Sequence, residues 1–214
     1  MKYKIAFIDE SPEWINTFYH SFKSDFDVYK IQVNSASSIK SIMEEIFSNE
    51  VDGVITDYLL DDEGEVDFNG NKIVEAIKNY KPHFPITMLT AHEPEAISFT
   101  DDVHIIYDKK VLDDENKEEL EILKTKIKSN VERYYTKIIK TEKKIEALVK
   151  KKNENLLVPK EEEELTKLFI LMDEFEPEGK EIPANLIRPE AITKLNDFVN
   201  QTKEILEELK KKNK

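Results

Sequence analysis

The sequence predicts an α/β fold: a five-stranded, parallel, doubly wound sheet followed by an all-α region, either a helical bundle or a coiled coil. Three observations carry this prediction. Five short apolar or β-branched runs in the first half alternate with stretches of helical spacing. Carboxylate, hydroxyl and lysine side chains stand at the ends of those runs. Beyond residue 111 the strand signals stop and a long helical period takes over.

The strand candidates are KIAFI (4–8), KIQVN (30–34), VDGVIT (51–56), PITML (85–89) and VHIIY (103–107). Between them, Trp14, Ile15, Phe18 and Phe22 share one helical face, as do Ile39, Ile42, Met43 and Ile46, and then Ile73, Ile77 and Tyr80. Pro12 after Ser11 suits a first helical turn, and Ser37 or Ser38 suits a cap for the second helix. A parallel sheet covered on both faces wants continuously apolar strands and places its ligand crevice at their carboxyl ends. Asp9, Glu10, Asp57, Thr90 and Lys109 all fall there. Clustered carboxylates favour a divalent cation, a threonine can bond a phosphoryl oxygen, and a lysine can neutralise the remaining charge.

From Asp113 to about Asn153 there is no Gly or Pro, and Leu120, Leu123, Ile127, Val131, Tyr134, Ile138, Thr141, Ile145 and Leu148 recur at near-heptad steps. One long helix follows. Leu165, Leu168, Phe169, Met172 and Phe175 form a second stripe after Pro159, "EPEGKEIP" (176–183) breaks the chain, and Ile192 to Leu209 forms a third stripe after Pro189. The sequence therefore divides into 1–111 and a helical 112–214, the latter expected to dimerise or to fold as a bundle. It contains no helix-turn-helix glycine turn, nucleotide loop or histidine, which removes a histidine phosphotransfer role for this half.

Residues 1–111 hold a charge balance of −11 and residues 112–214 one of −2, within a net charge of −13. That acidity argues against nucleic acid as a partner. No apolar run approaches the ~20 residues of a membrane span, no signal peptide is evident at the start, and with no cysteine the default expectation is a cytoplasmic protein.

The motifs "FIDES", "VITDYLL", "MLTAH" and "YDKK" make residues 1–111 resemble the receiver domain of bacterial two-component response regulators, whose sheet is flavodoxin-like. The resemblance implies that Asp57 accepts a phosphoryl group from a histidine kinase or phosphotransfer protein. It implies that Mg²⁺ is held by Asp9, Glu10, Asp57 and the backbone carbonyl of Leu59, with Thr90 and Lys109 on the phosphoryl oxygens. The chain is then a signalling protein rather than an enzyme, acting on an unknown protein target through its helical half and as a homodimer. A phosphate sink or relay intermediate is the alternative. A haloacid-dehalogenase-type phosphohydrolase using Asp9 is a further one, although "DES" lacks the second aspartate of that pattern.

The sequence also departs from the family. Lys110 follows Lys109 where proline is usual, Ile106 replaces the usual aromatic with Tyr107 beside it, and the loop after Asp57 is longer and rich in acid at Asp61, Asp62, Glu63, Glu65 and Asp67. That loop reads as solvated, or as a partner or cation contact. His20 and His83 read as surface residues, and His92 and His104 as side chains able to approach the pocket. Lys109→Ala is expected to impair signalling more than folding, because surface changes usually shift stability by only about 0.5 kcal/mol.

Overall fold

A computed structural model of the chain describes residues 2–61, 64 and 66–177. Strands β1 (Lys4–Asp9), β2 (Asp27–Gln32), β3 (Gly53–Thr56), β4 (Ile86–Thr90) and β5 (Ile106–Asp108) pair in parallel in the order 2-1-3-4-5, the flavodoxin-like arrangement. Helices α1 (Pro12–Phe22), α2 (Ile39–Ser48), α3 (Gly70–Tyr80) and α4 (Glu93–Phe99) fill the connections, and α5 (Lys117–Asn153) and α6 (Pro159–Phe175) follow.

Alternation along the strands sorts the core into two faces. Ile5 and Phe7 of β1, Ile55 and Leu89 pack with Ile15, Phe18 and Phe22 of α1 and with Leu123, Ile127 and Val131 of α5. Ala6, Ile8, Val54 and Met88 pack with Ile42 and Ile46 of α2 and with Ile73 and Ile77 of α3. Ser38 caps α2, its hydroxyl accepting from the Ser41 amide.

Two strands sit differently from the expectation. β2 begins at Asp27 because its register is set by pairing Lys4 with Asp27, and as an edge strand it is exposed along much of its length. Residues Val103–Ile105 form a 3₁₀ turn because the Asp102 carboxylate accepts from the His104 amide at 3.3 Å, which leaves only Ile106–Asp108 to pair. Helix α4 had no apolar period to announce it: Ala96 is its one buried side chain, while Ile97 and Phe99 face out.

The long helix meets its partners within the chain. Leu123, Ile127 and Val131 close the α1 face of the sheet, so the packed unit continues past residue 111. Tyr134 and Ile138 join the other core cluster beside Phe84 and Phe175, and Ile145 packs on Leu165 and Leu168 of α6. The Tyr135 hydroxyl donates to the Asp52 carboxylate, and Lys124 pairs with Asp25 at 3.1 Å. These bonds fasten α5 to the sheet at two heights. The stripe from Ile192 to Leu209, Lys210–Lys212, the break beyond Pro177 and the acidic residues Asp62, Glu63 and Glu65 lie outside the described residues. Among the described residues no helix is long and apolar enough to cross a membrane.

Candidate functional site

The strand ends bring four of the expected residues into one pocket. β1 and β3 are neighbours, so Asp9 at the end of one lies beside Asp57, just beyond the other. The Asp57 amide donates to the Ile8 carbonyl at 2.9 Å, extending the ladder to the aspartate itself. Oxygens of Asp9, Glu10 and Asp57 lie within 4.8 Å of one another. Lys109, in the 3₁₀ turn Lys109–Leu112 after β5, places its Nζ 2.6 Å from Asp57 Oδ2 and 2.8 Å from Asp9 Oδ2. At 2 % exposure Lys109 is a core residue, which corrects the expectation of a surface lysine. The Trp14 ring lies 4.8 Å from the same ammonium, a cation–π contact that only the fold reveals.

Each carboxylate is also aimed by backbone. The Ser11 amide donates to Asp9 Oδ1 at 3.0 Å and the Tyr58 amide to Asp57 Oδ1 at 2.6 Å. Behind Asp57, its carbonyl accepts from the Thr56 hydroxyl at 2.9 Å, and the Gly70 amide donates to the Tyr58 carbonyl at 2.7 Å. Asn69 accepts from the Leu60 and Asp61 amides, so the start of α3 organises the loop that follows Asp57. Leu59, in that loop, packs its side chain against the core.

Thr90 is fully buried at the end of β4, paired in register with Asp108, the neighbour of Lys109. Its hydroxyl accepts from the His92 amide at 3.1 Å, a bond that holds the start of α4. The expectation that His92 and His104 approach the pocket is not met by their placement, since both side chains are exposed and His104 lies in the 3₁₀ turn before β5. His83 is exposed but bonded to Glu174 at 3.0 Å. Ile106 is buried, while Tyr107 is half-buried against the α1/α5 cluster with Lys126 over its ring, so no aromatic side chain occupies the Ile106 position.

The charges are strained by proximity. Burial raises the Asp9 carboxyl, with the Lys109 charge opposing it. Burial first, and the Asp9 charge second, push Glu10 up to about 7. Burial works against the Lys109 charge, yet the Asp57 and Asp9 carboxylates outweigh it and hold Lys109 above its ordinary value. Three acids share one cation here, and Glu10 Oε2 is buried with no hydrogen-bond partner among the described residues. An all-oxygen set with one orphaned oxygen fits a hard divalent cation such as Mg²⁺.

Solved receiver domains are among the structures to which the chain is similar. The chain is similar to a BeF₃-activated DrrB receiver domain (19% identity, 62% of this chain and 99% of that one, TM-score 0.46) and to a response regulator receiver domain protein from Clostridium thermocellum (22% identity, 61% and 95%, TM-score 0.45). It is also similar to the signal receiver domain of an HD-domain-containing protein from Pseudomonas fluorescens (15% identity, 62% and 91%, TM-score 0.48). No family model and no curated protein matches the chain.

Proposed function

We propose that this chain is a response regulator whose Asp57 accepts a phosphoryl group from a histidine kinase or phosphotransfer protein. The observation that carries the reading is the single ammonium of Lys109 held between Asp57 and Asp9. A carboxylate attacking phosphorus brings negative charge to a negative group, so the site must already hold positive charge where the charge builds up. In the step, an Asp57 oxygen forms the new bond to phosphorus as the phosphorus–nitrogen bond of the donor breaks, and the electron pair leaves on the imidazole. The Tyr58 amide and Lys109 orient the attacking carboxylate. Thr90 stands on the neighbouring strand, where its hydroxyl can turn from the His92 amide to a phosphoryl oxygen. Asp9, Glu10, Asp57 and the Leu59 carbonyl would hold Mg²⁺, which supplies charge neutralisation for the incoming oxygens.

The output remains the helical half. Leu112, in the same 3₁₀ turn as Lys109, belongs to the cluster that contains Leu123 of α5, which gives a short packed path from pocket to helix. The stripe on which a homodimer was expected is covered within the chain from Leu123 to Ile145, so this reading requires no second copy. The test is intact mass after exposure to acetyl phosphate with Mg²⁺. One added phosphoryl group, absent in Asp57→Asn, is expected; phosphorylation undiminished in that variant removes the reading.

A further inference from the structure

Three groups hold the Lys109 ammonium. Asp57 Oδ2 accepts its hydrogen bond at 2.6 Å, Asp9 Oδ2 pairs with it at 2.8 Å, and the Trp14 ring has its centroid 4.8 Å away. Two of these partners are the acids of the pocket. The third comes from α1, whose start is fixed by the same residue that aims Asp9: the Ser11 amide donates to Asp9 Oδ1 at 3.0 Å, and the Ser11 hydroxyl accepts from the Trp14 amide at 3.4 Å. The ring is half-buried against the α1/α5 cluster, and the lysine it covers is buried.

The two carboxylates are not constant partners. On the reading proposed above, Asp57 loses its charge when its oxygen bonds to phosphorus, and Asp9 turns its oxygens to a divalent cation. An acyl phosphate no longer offers Lys109 a carboxylate, and a cation beside Asp9 repels an ammonium. The face of an indole changes in neither event. It attracts an ammonium through the ring quadrupole, and more strongly where water is excluded.

We propose that Trp14 is a positioning residue for Lys109: its ring keeps the ammonium over the pocket while Asp57 passes from carboxylate to acyl phosphate, so that positive charge stays where the phosphoryl oxygens arrive. The proposal rests on Asp57 as the phosphoacceptor. If Trp14 served only as core, any apolar side chain of adequate size would replace it. A ring that acts on the ammonium instead sets an order, in which phenylalanine keeps a weaker π face and leucine keeps apolar cover with none.

The rate of acetyl phosphate labelling with Mg²⁺, followed by intact mass on the full chain and scaled to the folded fraction from urea melts, tests this. Trp14→Leu is expected to label about tenfold slower than the unaltered chain, and Trp14→Phe about threefold slower. Equal rates in the two variants would reduce the ring to packing and overturn the proposal. A second readout needs no phosphoryl transfer. Trp14 is the only tryptophan of the chain, so Lys109→Met should shift the indole emission of the unlabelled protein. An emission unaltered by Lys109→Met would show that the ring does not feel the ammonium, and would overturn the proposal while leaving Asp57 as phosphoacceptor. Failure of the unaltered chain to label, with the emission shift present, would instead remove the phosphoacceptor reading and the positioning role with it.

Discussion

Gly70 sits against the back of Asp57: a Cβ built on it would lie 1.8 Å from the Asp57 carbonyl oxygen and 2.9 Å from the Thr56 hydroxyl. The first turn of α3 therefore acts as a wall behind the candidate phosphoacceptor. Gly70 has an ordinary helical role in the sequence, and its reason for being glycine is this approach.

Gly70→Ala should displace the Asp57 backbone, since atoms at that separation cannot coexist and backbone does not yield like a flexible side chain. A stability loss of about 1–3 kcal/mol in urea denaturation is expected from overpacking, together with a loss of acetyl phosphate labelling that exceeds the loss of folded protein. Unchanged labelling would show that α3 can retreat freely.

Lys109→Ala removes the one cation between two buried carboxylates. Breaking a buried pair in this way costs about 3–5 kcal/mol, far above a surface change, so thermal stability should fall clearly. Adding Asp9→Asn should recover part of that loss by removing one of the stranded charges. A melting temperature within error of the unaltered protein would mean that the carboxylates simply take up protons at no cost to folding.

The pocket should make stability fall with rising pH. Glu10, pushed to about 7 against an ordinary 4.5, keeps its proton in the folded chain where the unfolded chain has lost it. The folded state therefore binds more protons in that window, and the stability this gives is present below about 4.5 and lost as pH rises through about 7. Asp9, also raised by burial, acts in the same direction. In chelator, the melting temperature should drop between about pH 5 and about pH 8, Glu10→Gln should flatten the drop, and Mg²⁺ should oppose it. A slope unaltered by Glu10→Gln would assign it to other groups.

A chain ending at Val111 should not hold a stable fold. It lacks Leu123, Ile127 and Val131, whose burial closes the α1 face, at ~1.5–3 kcal/mol each, and that sum is comparable to the whole stability of a small domain. A chain ending at Asn153 should fold better. Circular dichroism melts of the two decide, and a cooperative melt from the shorter chain would support residue 111 as a boundary.

Most of the site was legible in the sequence because parallel sheets bring strand ends together whatever their loops do. Once five strands were read, Asp9, Asp57, Thr90 and Lys109 had to share one edge. Helices α1 to α3 were legible for a similar reason, since each buries one stripe, and α4 was not, because its apolar side chains mostly face out. Periodicity also marked which residues of α5 needed cover. What supplies the cover is a matter of which surfaces meet, and local spacing does not encode that: Leu123 to Val131 found the sheet, Tyr134 and Ile138 found Phe84 and Phe175, and Ile145 found α6. Tertiary structure alone decided that Lys109 is buried between two acids, that Trp14 stands over its ammonium and that Gly70 backs Asp57. Each joins residues far apart in the chain, and its energy depends on distance and on exclusion of water, quantities that exist only once the chain has closed.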